Sequence, residues 1–199
     1  MAGPIAFREY RASEAGRIVG ITPELQRAWR RRGVLRYGPW AASTDSGWNS
    51  FTLVDVIVGR VFKIAGDLGF PNKAAQYIAS HAAGPISQFL LLVDGAIEGE
   101  LNGTILPLRD ERLSEPHDRF LIAEFCEAAQ GYFSSDEWDA RITICDAAKV
   151  AQLIATGKAQ AHRILDFKQI ANDIFERGGC SPIFTMHLKV QKHPQKVSS

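Results

Sequence analysis

The sequence has few cysteines and no long apolar run. Cys126, Cys145 and Cys180 are too far apart for a CxxC metal-binding pair, and their odd number does not suit a disulfide framework. We therefore expect buried apolar thiols and no metal site, and convergence of the thiols on a metal or an oxidant-sensing role is the weaker alternative. No apolar stretch reaches the roughly 18 residues that a membrane-spanning helix needs. Residues 1–8 lack the apolar core and cleavage site of a signal peptide, so the prediction is a soluble, cytoplasmic protein with no membrane partner.

Catalytic motifs are also missing. The chain has no glycine-rich phosphate loop, no GxSxG nucleophile motif and no HExxH zinc motif, and its five histidines are scattered. The sequence therefore predicts a protein that is not an enzyme and that binds no cofactor. An enzyme or ligand-binding protein that carries an auxiliary binding module stays open as the weakest alternative.

Charge is unevenly distributed along the chain. Residues 1–73 carry 11 Lys and Arg against 6 Asp and Glu, whereas residues 74–199 carry 12 against 16. A basic front part and an acidic rear part indicate two modules with different partners. The basic part is the candidate for binding a polyanion such as DNA.

The basic part begins with two short predicted helices. Ser13 is a candidate N-cap for a first helix that ends at Gly20. Thr22 is the candidate N-cap of a second helix over 23–32, which has Pro23 at its first position. Two short helices joined by a tight glycine-containing turn are typical of a helix-turn-helix. The expected inner stripe of the second helix is Leu25, Ala28 and Trp29.

The next segment favours DNA binding over a merely solvated basic helix. Residues 34–40 and 47–51 place aromatic side chains at strand-like positions around a polar loop, which predicts a β-hairpin wing. Thr52 is a candidate N-cap for a third helix over 53–67, and a fourth helix is predicted over 72–81. A hairpin directly after the arginine-rich helix is the order of a winged helix-turn-helix.

Together these segments resemble the DNA-binding domain of MerR-type regulators. The resemblance covers about residues 10–80 and rests on RASEAGRIVGITPELQRAWRRRGVL, on GWNSFTLVDV and on RVFKIAGDLGF. It implies that the second helix enters the major groove and that the wing contacts the DNA backbone. The matching positions imply DNA contacts at Thr22, Glu24, Gln26, Arg27, Arg30 and Arg31 in the second helix and at Arg36, Trp48, Asn49 and Ser50 in the wing.

Two departures from the family pattern bear on DNA contacts. The wing ends in Trp48-Asn49-Ser50-Phe51 where the family has an aromatic-Arg-Arg-aromatic run. Uncharged Asn and Ser can still donate to phosphate, but they add less salt-dependent affinity than an arginine pair. Leu25 and Gln26 are swapped relative to the family's usual Thr-Leu, which implies a slightly rotated helix.

The rear part predicts a mixed α/β module rather than the long dimerising helix of the family. Gly84-Pro85 is expected to break the fourth helix. Asp146 and Asp166 are expected N-caps. The predicted elements are strands at 89–93 and 104–108, a helix over about 116–132, a strand at 141–145, helices over 147–156 and 167–177, and a strand over 183–190.

The predicted fold class is α+β with three regions. A winged helix-turn-helix is expected over 8–83, a mixed α/β dimerisation or effector domain over 84–190, and a flexible basic tail over 191–199. The predicted function is a sequence-specific transcriptional regulator that binds double-stranded DNA as a homodimer, with an effector or protein partner at the rear domain. The alternative is an architectural, excisionase-like protein that bends DNA.

Overall fold

A computed structural model of the chain describes residues 2–32, 50–101, 104–107, 115–127, 138–157, 162–180 and 183–188. This part of the chain is α+β, as the sequence predicts. The predicted wing strand at 34–40 and the tail at 191–199 lie outside it. The elements are β1 (Ala2–Phe7), α1 (Ala12–Val19), α2 (Pro23–Arg32), α3 (Leu53–Asp67), α4 (Asn72–Leu90), β2 (Ile97–Leu101), β3 (Thr104–Pro107), β4 (Phe120–Glu127), β5 (Trp138–Cys145), α5 (Ala147–Ala155), β6 (His162–Asp166), α6 (Phe167–Arg177) and β7 (Phe184–Leu188).

α1 ends before Gly20, as the sequence predicts, but it begins earlier than predicted. Gly20 follows the last turn with a left-handed φ of 83°, and its N–H donates to the carbonyl of Gly16 at 2.9 Å. The prediction that Ser13 caps the helix is wrong. The helix already begins at Ala12, and the preceding Arg11 makes no side-chain capping bond.

The next two helices begin at the predicted residues, because their caps are local. The Thr22 hydroxyl accepts the backbone N–H of Leu25 at 3.2 Å, which closes the first turn of α2. At the start of α3, Thr52 and Asp55 form a capping box. Each side chain accepts the backbone N–H of the other residue, at 3.2 and 2.8 Å.

α4 is longer than the sequence suggests. It runs from Asn72 to Leu90 without interruption, so the predicted break at Gly84-Pro85 and the predicted strand at 89–93 are both wrong. Proline removes one backbone hydrogen bond, but the apolar side chains that follow it are buried, and their burial outweighs that loss. The boundary predicted between 83 and 84 therefore falls inside a helix. The buried residues after Pro85 are Ile86, Phe89 and Leu90.

The four-stranded sheet has the order β1-β7-β2-β3. β1 runs antiparallel to β7, with Phe7 opposite Phe184, and β7 runs parallel to β2. The predicted strands at 104–108 and 183–190 are confirmed over their described residues as β3 and β7, although β7 begins at Phe184 rather than at residue 183. The sequence analysis does not predict β1. This strand pairs with β7, which is far from it in the sequence.

A second, antiparallel sheet has the order β5-β4-β6. The helix predicted over 116–132 is wrong, because residues 120–127 form the central strand β4, which is hydrogen-bonded on both sides. Leu121, Ile122 and Ala123 are all buried, and a short continuous apolar run does not distinguish a buried strand from a buried helix. The strand predicted at 141–145 is confirmed within β5.

The last two helices begin at the predicted aspartates. Asp146 accepts the backbone N–H of Lys149 at 2.8 Å at the start of α5. Asp166 accepts the backbone N–H groups of Lys168 and Gln169 at 3.0 and 3.3 Å at the start of α6. Both helices follow strands directly. Asp166 is the last residue of β6, and Asp146 comes directly after the last residue of β5.

One connected core joins the front and rear parts of the chain. α6 packs against α4 and also contacts α1 and α3. A helix from the rear part therefore completes the core around the helices of the front part. The side chains of α6 in this core are Phe167, Ile170, Ala171, Ile174 and Phe175.

Candidate nucleic-acid interface

Three residues, 20–22, join α1 to α2 and form the α1–α2 turn. The N–H groups of Gly20 and Ile21 both donate to the carbonyl of Gly16 at 2.9 Å. These bonds satisfy the end of α1 while the left-handed Gly20 reverses the chain direction. α2 consequently starts directly beside α1.

The inner face of α2 differs from the predicted one. The Trp29 ring is buried and meets Phe62 of α3 edge-on, with ring centroids 5.0 Å apart. Gln26 is also buried, and its Nε2 donates to the carbonyl of Ala12 at 3.1 Å. Leu25 is exposed instead. The predictions that Leu25 faces inward and that Gln26 faces the groove are therefore wrong, because residues 26 and 29 share one helical face.

Replacing Gln26 by leucine is expected to change the free energy of unfolding by less than about 1 kcal/mol, because an apolar side chain of similar size fills the same space. Gln26→Ala leaves a cavity and is expected to cost about 2 kcal/mol. Denaturant unfolding of both variants measures the difference. An equal loss for leucine and alanine would mean that the hydrogen bond to Ala12, rather than packing, holds α2 against α1.

The outer face of α2 carries most of the other predicted contacts. Thr22, Glu24, Arg27 and Arg31 are exposed, and Arg30 is half-buried. Arg27 donates to the Glu24 carboxylate at 2.9 Å, and the two side chains are 68% and 72% exposed. Water screens so exposed a pair, which leaves the Arg27 guanidinium free to exchange the carboxylate for a phosphate.

Glu24 stays ionised at neutral pH. A hydrogen bond from its own backbone N–H, followed in importance by one from the Thr22 hydroxyl, holds the pKa of Glu24 below its usual value. A carboxylate at the start of a helix also suits the positive end of the helix dipole. It would repel phosphate, so a place for Glu24 opposite base edges fits its charge better than a place opposite the DNA backbone.

Of the predicted wing contacts, Arg36, Trp48 and Asn49 lie outside the described residues. Ser50 is described and exposed. It directly precedes Phe51, which is almost completely buried. Of the predicted wing, the described part of the chain therefore includes only its last two residues, Ser50 and Phe51.

Those residues are held beside the start of α1. Tyr10 and Phe51 form an isolated antiparallel bridge, in which each N–H donates to the other's carbonyl at 2.9 Å. Burial raises the pKa of Tyr10 to about 12, although the Arg8 guanidinium, 5.3 Å from the ring centroid, opposes the shift. Phe51 thus has a defined position immediately before the Thr52 cap of α3.

α6 reaches the α1–α2 turn through charged side chains that the sequence analysis missed. The Asp173 carboxylate accepts the Nε–H groups of Arg60 at 2.8 Å and of Arg177 at 2.7 Å. Arg60 Nη1 donates to the carbonyl of Val19 at 3.0 Å, and Arg17 donates to the carbonyl of Arg177. The i,i+4 spacing of Asp173 and Arg177 is visible in the sequence. Arg60, 113 residues from Asp173, carries no local signal of this contact.

The two cysteines whose side chains are described differ in exposure. Cys145 is buried, and its burial raises the pKa of the thiol, whereas Cys180 is exposed. The predicted burial is thus confirmed for Cys145 and wrong for Cys180, and the Cys126 side chain is outside the description.

Among the described residues, no three His, Cys, Asp or Glu side chains are grouped to hold a metal ion. None of the described helices is long and apolar enough to cross a membrane.

The chain matches no known protein-family model and no curated protein. The described geometry is that of an α+β protein. Within it, the arginine-rich helix α2 follows a tight turn and is held by the core through Trp29 and Gln26.

Proposed function

We propose that this protein binds double-stranded DNA through α2 and acts as a sequence-specific transcriptional regulator. The observation that carries the proposal is the α1–α2 pair. A tight turn sets a ten-residue helix against α1, its inner face is buried on the core, and its outer face presents arginines. This is the arrangement that a helix-turn-helix needs in order to place its second helix in the major groove.

The charges of α2 suit two kinds of DNA contact. The exposed Arg27 and Arg31 can neutralise phosphates or donate two hydrogen bonds to a guanine. Glu24 and Thr22, at the beginning of the helix, can contact base edges. With Gln26 buried, the proposed contacts on α2 are Thr22, Glu24, Arg27, Arg30 and Arg31.

A winged form of the motif is part of the proposal. The Tyr10–Phe51 bridge supports it, because it holds Phe51, the last residue of the predicted wing, beside the start of α1. Arg36, Trp48, Asn49 and Ser50 remain the proposed wing contacts to the DNA backbone. The resemblance to MerR-type regulators over residues 10–80 supports the same assignment.

A homodimer completes the mechanism that we propose. One short helix contacts few base pairs, so specificity requires two copies on half-sites separated by about one helical turn. The rear part of the chain would hold the two copies together and accept an effector or protein partner.

Alanine at Arg27 or at Arg30 is expected to weaken binding to the preferred duplex by about 1–3 kcal/mol for a base contact, with less effect on unrelated duplexes. A phosphate contact would instead weaken binding to all duplexes and lower the slope of log affinity against log salt by about 1. Fluorescence anisotropy with a selected duplex and a scrambled duplex, at several salt concentrations, distinguishes the two cases. Lys149→Ala, at an exposed cation on α5, is the matched control.

Three outcomes of that experiment would contradict parts of the proposal. A wild-type salt slope near zero would remove DNA binding. Unchanged binding by both arginine variants would remove α2 as the DNA-contacting helix. One chain per duplex in sedimentation of the complex would remove the dimer, and equal affinity for all duplexes combined with strong bending would favour the architectural alternative.

A further inference from the structure

We propose that the α1–α2 turn and the end of α6 together form a binding site for a backbone phosphate of the DNA, with Arg177 as its main ligand. The site would extend the DNA contact from the helix-turn-helix to a helix of the rear part of the chain. This inference rests on the proposed DNA-binding function. It assigns a role to a cluster of guanidinium groups that neither the resemblance nor the predicted contacts include.

The first argument is the convergence of cations on one glycine. A Cβ placed on Gly20 would lie 3.1 Å from Arg60 Nη1 and 3.2 Å from Arg177 Nη1. The absence of a side chain at Gly20 thus gives two guanidinium groups room directly over the turn. Arg17, in the last turn of α1, donates to the backbone carbonyl of Arg177 and so brings a third guanidinium group to the end of α6.

The second argument is the balance of charge. Three arginines lie at the turn and the end of α6, and in the part of the chain that the structure describes their carboxylate partner is Asp173, which accepts the Nε–H groups of Arg60 and Arg177. Glu176 precedes Arg177 by one residue, so its side chain lies about 100° away around α6. The cluster therefore keeps an excess of positive charge. Arg177 is 39% exposed, so water and an incoming anion can reach it, whereas Arg60 is only 15% exposed.

The third argument is position. The cluster lies at the residue where α1 ends, and α2 begins three residues later. When a helix-turn-helix docks, the first helix crosses the DNA backbone and the first residues of the second helix meet the bases. Groups at the turn then face the phosphates beside the groove. Guanidinium groups bind such phosphates well, because their parallel N–H groups match two phosphate oxygens.

The test uses the full chain and measures how duplex affinity depends on salt. Arg177→Gln removes the charge and is expected to lower the slope of log affinity against log salt by about 0.9, equally for selected and scrambled duplexes. The affinity deficit of the variant would then shrink by about 3.5-fold between about 50 and 200 mM salt. Arg177→Lys keeps the charge and is expected to keep the wild-type slope. Lys168→Gln, near the other end of α6, is the matched control and should leave both the duplex affinity and the salt slope unchanged.

Asp173→Asn separates phosphate binding from a structural role. If the only role of Arg177 is to hold α6 against the α1–α2 turn, removing the charge of its partner Asp173 should weaken DNA binding as Arg177→Gln does. If the cluster binds a phosphate, the same substitution frees two guanidinium groups, and we expect an unchanged or steeper salt slope with equal or higher affinity. Thermal unfolding of each variant shows whether it is folded at the assay temperature.

The outcomes also separate this inference from the proposed function. If the wild-type chain binds DNA, and Arg27→Ala or Arg30→Ala weakens it while Arg177→Gln keeps the wild-type slope, the phosphate site is wrong and the function stands. Parallel losses for Arg177→Gln and Asp173→Asn would likewise overturn the site. If the wild-type chain shows no salt-dependent binding to any duplex, the function itself fails, and the phosphate site fails with it.

Discussion

Trp29→Ala is expected to lower the free energy of unfolding by about 3–5 kcal/mol, the usual range for removal of a buried tryptophan. The ring fills the space between α2 and α3 and meets Phe62 edge-on at 5.0 Å. Its loss leaves a cavity beneath the helix that carries the proposed DNA contacts. Urea unfolding followed by circular dichroism measures the change, because the helices supply most of that signal.

The matched control is Trp29→Phe, which keeps an aromatic ring against Phe62. It is expected to lose clearly less stability than alanine, because the cavity is smaller. Loss of duplex binding by Trp29→Ala at a temperature where the variant is still folded would mean that the orientation of α2, and not only its charge, determines affinity. A stability loss below about 1 kcal/mol for alanine would contradict the packing of α2 on α3 described above.

Asp166→Ala is expected to cost about 2 kcal/mol, because the side chain has two roles. Its carboxylate caps α6 through the N–H groups of Lys168 and Gln169. It also accepts two hydrogen bonds from Arg119, at 2.9 and 2.5 Å. Asp146→Ala is the control, since it removes the equivalent cap from α5, a helix with no buried residue, and should cost less.

The same residue predicts how stability depends on pH. Burial alone would raise the pKa of Asp166, but the hydrogen bonds from Arg119, Gln169 and Lys168 outweigh it and leave that pKa below its usual value. A carboxyl group with a lowered pKa in the folded state stabilises the fold above its unfolded pKa of about 3.9, and the stabilisation is lost as pH falls through the folded value. The difference between wild type and Asp166→Asn should therefore be full at pH 6 and should shrink below about pH 4. A difference that does not change with pH would contradict this role.

Local chemistry explains which elements the sequence could predict. Thr22, Thr52, Asp146 and Asp166 each satisfy backbone N–H groups within three residues, and the helices that follow them were predicted at the correct first residue. Gly20 similarly marks the end of α1. Such signals need no knowledge of the rest of the fold.

The wrong predictions have tertiary causes. α4 continues through Pro85 because Ile86 and Phe89 are buried in the core, and no pattern in the neighbouring residues indicates that burial. β4 is a strand because β5 and β6 bond to both of its edges, although its apolar run equally suits a helix. β1 depends on a partner at the far end of the chain.

The candidate site shows the same division. The arginines on the outer face of α2 were predictable from helical spacing, whereas the inward position of Gln26 depends on its bond to Ala12 in another helix. The cluster of Arg60, Asp173 and Arg177 was not predictable, because its members come from helices that are far apart in sequence.

The pairing of β1 with β7 has a consequence for synthesis on the ribosome. β7 lies between β1 and β2, so no strand connects β1 to the β2–β3 pair until residue 188 has been made. α6, which contacts α1 and α3, is also late. A nascent or truncated chain that ends before residue 167 lacks α6, so the packing of α6 on α1 and α3 waits until residue 177 has been made.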